Sequence, residues 1–144
     1  MTQKAELGKL GEDLACRYLV DKGYKIIERN FRKPWGELDI IAKSPGKILV
    51  FVEVKTVRQS SLQAMRQFGN EFGNPVNSCP QLPNSKIEPE MQMTAAKIKK
   101  LKRTASLYAG HYPELIDDRQ GWRIDLLALT INEKDCVVKH YENI

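Results

Sequence analysis

Two apolar runs, Gly36-Glu-Leu-Asp-Ile-Ile-Ala42 and Ile48-Leu-Val-Phe-Val-Glu-Val-Lys55, flank the turn-forming segment Lys43-Ser-Pro-Gly-Lys47. Runs rich in β-branched residues on either side of Pro-Gly predict two strands joined by a tight connection. The second run is apolar at nearly every position, as expected of a central strand covered on both faces. It nevertheless ends in Glu53 and Lys55, and its partner carries Glu37 and Asp39. Side chains alternate along a strand, so Glu53 and Lys55 share one face, as do Glu37 and Asp39. Charges so close to a core are costly to desolvate unless they bind one another, a metal or a substrate. The chemistry is expected here.

The rest of the chain supplies helices for this sheet. Leu7, Leu10, Leu14 and Tyr18 recur at helical spacing and predict a helix over residues 2–22, with Thr2 as N-cap and Gly23 as stop. On helical grounds Glu12, at the edge of the apolar stripe, reads as a solvated charge. Residues 24–30 predict a first strand, and Phe31 to Trp35 a loop; Arg29, Arg32 and Lys33 interleave with Phe31 and Trp35, a pattern that suits either contact with a phosphate backbone or a loop whose aromatics cap the core. From about 57 to 90 the composition turns to Asn, Gln, Ser and Pro, predicting a long flexible loop, with Leu62, Met65 and Phe68 hinting at a turn or two of helix.

A second helix is predicted over 91–109, with Thr94, Ile98, Leu101, Ala105 and Tyr108 as its stripe and Gly110 and Pro113 closing it. Lys97, Lys99, Lys100, Lys102 and Arg103 place five cations in seven positions with no acid between them, a pattern that faces phosphate. Strands at 122–130 and 136–141 complete the order, with Arg123 and Asp125 expected to form an ion pair. One α/β domain spanning 1–144 is the expected architecture, a mixed sheet flanked by helices.

Charge and cysteine usage narrow the class. A net charge of +5 leans mildly toward a polyanionic partner. Three dispersed cysteines do not make a disulfide framework and suit a reducing cytoplasm. No apolar run reaches the length of a membrane span, no leader-like segment opens the chain, and His111 and His140 read as surface or loop histidines. If Asp39 and Glu53 converge from adjacent strands, their carboxylates form an all-oxygen site suited to Mg²⁺ or Mn²⁺. Lys55 beside them could orient a water or offset charge on a phosphate. The alternatives are a nucleic-acid-binding module without turnover and a protein-interaction domain whose charges pair among themselves.

Glu12, the Gly36-Glu-Leu-Asp39 and Phe51-Val-Glu-Val-Lys55 motifs, the Lys97-containing helix and Arg123-Ile-Asp125 together resemble the bacterial YraN-like (UPF0102) family. That family in turn is similar to the PD-(D/E)xK restriction-endonuclease-like superfamily, with archaeal Holliday-junction resolvases among the nearest relatives. The resemblance implies a restriction-endonuclease-like fold and a Mg²⁺- or Mn²⁺-dependent endonuclease acting on DNA, branched or structured DNA included. Under it, Asp39 and Glu53 are metal-binding acids, Lys55 is the catalytic lysine, and Glu12 completes the metal site. Lys97, Lys99, Lys100, Arg103, Arg32 and Lys33 would hold the nucleic acid. Arg58 would too, although Val57 separates it from Thr56 where the family usually reads Glu-Val-Lys-Thr-Arg. Resolvase-like relatives work as dimers, so a homodimer is expected.

Overall fold

The structure, a computed structural model, describes residues 2–59 and 93–144. A helix α1 (Gln3–Asp21) leads into three strands, β1 (Lys25–Lys33), β2 (Gly36–Lys43) and β3 (Leu49–Arg58). A second helix α2 (Ala95–His111) and a short 3₁₀ turn (Pro113–Leu115) precede β4 (Trp122–Ile131) and β5 (Cys136–Tyr141). The strands lie in sequence order in one five-stranded sheet. Every neighbouring pair is antiparallel except β3 and β4, which are parallel because the chain crosses between them through α2.

The unbroken apolar run of β3 is explained by its two covers. Val50, Val52 and Val54 pack with Ala15 and Leu19 of α1, whereas Leu49 and Phe51 pack with Leu101, Ala105 and Tyr108 of α2. Phe51, 1% exposed, meets Tyr108 and Trp122 edge-on. Burial of a ring this size stabilises the fold by roughly 1.5–3 kcal/mol. This is the expected mixed sheet flanked by helices.

Several expected boundaries move. β1 runs on through Phe31, Arg32 and Lys33, because these residues pair with Leu38, Glu37 and Gly36 around the Pro34–Trp35 turn. β3 likewise claims Val57 and Arg58, which pair with Thr130 and Ile131. The remainder of the expected 57–90 loop, from residue 60, lies outside the described residues, as do the helix hint at Leu62, Met65 and Phe68 and the first two residues of the expected second helix. Thr94 is not part of the α2 stripe: its hydroxyl caps the helix by accepting the Lys97 N–H at 3.2 Å. Gly110 lies inside α2, and Pro113 opens the 3₁₀ turn. His140 is not a surface residue. Its side chain is 11% exposed on β5, where Nε2 lies 2.8 Å from Asp125 Oδ2.

Two glycines set how closely the helices approach the sheet. A Cβ on Gly11 would fall on the Thr56 side chain, with Thr56 Cβ only 2.9 Å away, so α1 crosses the end of β3 in close contact. A Cβ on Gly36 would meet Thr104 Cγ2 at 2.6 Å and Cβ at 2.9 Å, so α2 lies as close to the start of β2. Gly36→Ala is therefore expected to cost about 1–3 kcal/mol through overpacking. Urea unfolding would measure it. Adding Thr104→Ala, which removes Oγ1 and Cγ2, should restore part of the loss, and strictly additive losses would show that the two residues do not meet.

Candidate functional site

Strand β2 pairs with β3 from Lys43↔Leu49 to Ile40↔Val52 and then parts from it, while staying paired with β1 down to Gly36. Asp39 and Glu53 are the next residues in register, so they face each other where the ladder has opened. The Val54 N–H, beyond the last β2–β3 pair, donates to Asp39 Oδ2 at 2.9 Å. Asp39 thus takes the place of a strand carbonyl and is held with its carboxyl within hydrogen-bond reach of Glu53. Glu53 is 9% exposed. Burial and the neighbouring Glu53 charge push the Asp39 pKa up to about 7, against the pull of the Val54 N–H.

Cations gather on Glu53. Lys55 Nζ lies 3.3 Å from Glu53 Oε1, from the same face of β3 as the alternation requires. Lys97 Nζ reaches the same oxygen at 3.6 Å from α2. Burial disfavours the Lys55 ammonium, but its contacts with Lys97 and Glu53 hold its pKa above the ordinary lysine value. Lys97 moves the other way, lowered by burial and by the contact with Lys55. Of the two, Lys55 keeps its proton more firmly.

The pair sits in a cavity of about 620 Å³ between the two helices, bordered by the β1–β2 turn. Lys97, Lys100, Leu101 and Thr104 line it from α2, and Glu12 and Lys4 from α1. Glu12 is half-buried, which raises its pKa, while Arg29, Arg32 and a hydrogen bond with Asn30 oppose the rise. It shares the cavity with Asp39 and Glu53, but among the described residues no three His, Cys, Asp or Glu side chains come close enough together to hold an ion. The acids in mutual contact are therefore two. Two converging carboxylates still fit a hard divalent cation, since Mg²⁺ takes one or two carboxylates and keeps several waters.

The remaining candidates divide. Lys33 and Lys100 border the cavity, and Glu37 is exposed at its rim. Arg32 is exposed in a neighbouring, more open depression that shares Glu12 and Gly8 with the first. Lys99, Lys102 and Arg103 are exposed on α2 but do not line the cavity, because they fall on the far side of the helix from Lys97 and Thr104. Arg58, exposed at the end of β3, does not line it either. Sequence reasoning missed the contact of Lys97 with Glu53, and it missed Lys4. The signal for the first was present: Lys97 lies four residues before Leu101 and so extends the buried stripe toward the sheet.

A mixed sheet carrying two carboxylates and a lysine where two strands part, roofed by a basic helix, defines an α/β protein built around a cavity in which acids and lysines meet. The model described as uncharacterised protein family UPF0102 matches residues 11–129, and the chain belongs to that family. It is 39% identical over 140 residues to a UPF0102 protein of Thermodesulfovibrio yellowstonii, covering 97% of this chain and 96% of the relative. It is 34% identical to UPF0102 proteins of Syntrophus aciditrophicus and Syntrophomonas wolfei, each over 96% of this chain and over 87% and 96% of the relative. Among the described residues no helix is long and apolar enough to cross a membrane.

Proposed function

We propose that the chain is a metal-dependent endonuclease that hydrolyses phosphodiester bonds in DNA, with branched or structured DNA among its substrates. The observation that carries this reading is the Asp39–Glu53 carboxyl pair with the Lys55 ammonium 3.3 Å from Glu53, at the floor of a cavity with further cations on its wall. Asp39 and Glu53 would hold Mg²⁺ or Mn²⁺, and Glu12, which lines the same cavity, would act through the ion's water shell. The bound cation supplies Lewis-acid chemistry, neutralising phosphate charge and lowering the pKa of water.

The chain's own residues do the rest. In hydrolysis a water oxygen bonds to phosphorus as the bond from phosphorus to one sugar oxygen breaks, and negative charge grows on the phosphoryl oxygens. Lys55, held beside Glu53, would offset that charge. Lys100 and Lys33 border the entrance and would position the backbone, with Arg32 extending the track along the neighbouring depression. Lys99, Arg103 and Arg58 would contact only a substrate that extends beyond the cavity.

The test is cleavage of labelled duplex, single strand, four-way junction, flap and RNA with Mg²⁺, Mn²⁺ or EDTA. Cutting should require the metal, and Lys55→Ala should slow it about a hundredfold to a thousandfold. Binding without cutting in either metal, unchanged by Lys55→Ala, would sink the enzyme reading and leave a nucleic-acid-binding module.

A further inference from the structure

The sequence groups Lys97 with Lys99, Lys100 and Arg103 as a backbone contact; Lys100 also borders the cavity, but Lys97 is set apart by its pairing with Glu53. Its backbone is fixed by the Thr94 cap, one turn into α2. The close seat of α2 at Gly36 brings that end of the helix over the cavity. Its Nζ lies 3.6 Å from Glu53 Oε1, the oxygen that Lys55 already contacts at 3.3 Å. The longer of these contacts lies beyond hydrogen-bond reach, so Lys97 is the more weakly held of two cations whose charge an ion seated on Oε1 would meet. The two lysines also repel each other.

They are not tethered alike. Lys55 stands on the same strand as Glu53, two residues along, with a side chain 19% exposed. Lys97 reaches across the cavity from a separate helix, and its side chain is 37% exposed. Lys97 is therefore the one with somewhere else to go. Building on the nuclease reading above, we infer that Lys97 is an exchangeable member of the centre: it occupies Glu53 Oε1 in the metal-free chain, yields that oxygen when a divalent cation binds, and then contacts a non-bridging oxygen of the phosphate under attack. This gives the site two lysines with separate tasks. Lys55 stays with Glu53, whereas Lys97 moves from protein to substrate. A lysine that merely held the backbone would have no influence on how tightly the acids take up an ion.

That difference is the test. Mn²⁺ is titrated by calorimetry, without nucleic acid, into the wild-type chain, Lys97→Met, Lys97→Arg and Lys102→Met. Lys97→Met removes the competitor and should bind Mn²⁺ about threefold to tenfold more tightly, the range expected for losing a half-exposed ion pair. Lys97→Arg keeps a competing cation and should stay near wild type, and so should Lys102→Met, which removes the same charge from the outward side of α2. In single-turnover cleavage with saturating Mg²⁺, Lys97→Met should react about tenfold to a hundredfold more slowly even when every substrate is bound. Equal Mn²⁺ affinity in Lys97→Met and wild type overturns the exchange while leaving the nuclease reading intact. The same holds for a gain matched by Lys102→Met, which would make the effect one of net charge. A wild-type chain that takes up no Mn²⁺ overturns both.

Discussion

Asp39→Asn is expected to cut nucleic acid at least about a thousandfold more slowly than the wild-type chain, a loss of roughly 4 kcal/mol of transition-state stabilisation. The same substitution should leave the fold as stable as before or slightly more so. Asparagine has nearly the shape of aspartate, and its side-chain oxygen can still accept the Val54 N–H that Asp39 Oδ2 now takes at 2.9 Å. What it loses is a negative charge that burial and Glu53 already disfavour, the reason the Asp39 pKa lies at about 7. Activity and stability should thus move in opposite directions, the signature of a residue kept for chemistry rather than for folding. Thermal unfolding measured beside single-turnover cleavage would decide it. A mutant that melts far below wild type would show that the Val54 contact needs the carboxylate, and one that cuts at the wild-type rate would remove Asp39 from the centre.

The second large effect belongs to a different carboxylate. Asp125 is fully buried and accepts from Arg123 Nε at 3.0 Å, lies 2.8 Å from His140 Nε2, and accepts the Asn143 N–H at 3.0 Å. Arg123 is also bonded to the Tyr24 hydroxyl at 2.9 Å, so the group ties β4 and β5 to the chain that follows α1. Asp125→Ala leaves the guanidinium and the imidazole without their shared acceptor. It should destabilise the protein by about 3–5 kcal/mol, a large part of an ordinary domain's stability. Burial acts to raise the Asp125 pKa, but the bonds from His140, the Asn143 N–H and Arg123 outweigh it and hold the carboxyl below its usual value. A depressed folded-state pKa means that the stabilising contribution is complete above the unfolded value near pH 4 and is lost as pH falls through the lower folded one. The contribution of Asp125's own ionisation to the gap in stability between wild type and Asp125→Ala should therefore be complete above about pH 5 and be lost only in strong acid. A gap that stayed unchanged through strong acid would refute this account.

The β2–β3 pair and the shared face of Glu53 and Lys55 were legible because they depend only on strand alternation and on turn chemistry between residues 43 and 47. The Arg123–Asp125 pair was legible for the same reason. What alternation could not convey was where strands part. Asp39 owes its place to β2 leaving β3 after Ile40, and no residue type in the run announces that departure. Composition made Lys97, Lys99, Lys100 and Arg103 look alike, whereas the helical period separates them, and the Gly36–Thr104 contact decides which of them reach the acids. His140 read as a surface or loop residue because its partner lies fifteen positions away on the neighbouring strand. Long-range pairing of this kind leaves no local pattern.

The one parallel pair among the described strands, β3 with β4, also bears on the order in which the site is assembled. β1, β2 and β3 join through short turns and can meet early, at a small loop-closure cost, whereas β4 must wait for the chain beyond Arg58 to travel out through α2 and return. Asp39, Glu53 and Lys55 all belong to the early meander. Lys97 belongs to the late half. The topology therefore predicts that during folding the two acids face each other first, with Lys55 beside them, and that the arrival of α2 then both covers Phe51 and brings the second lysine, so that docking the helix and quieting the acidic pair would be one event.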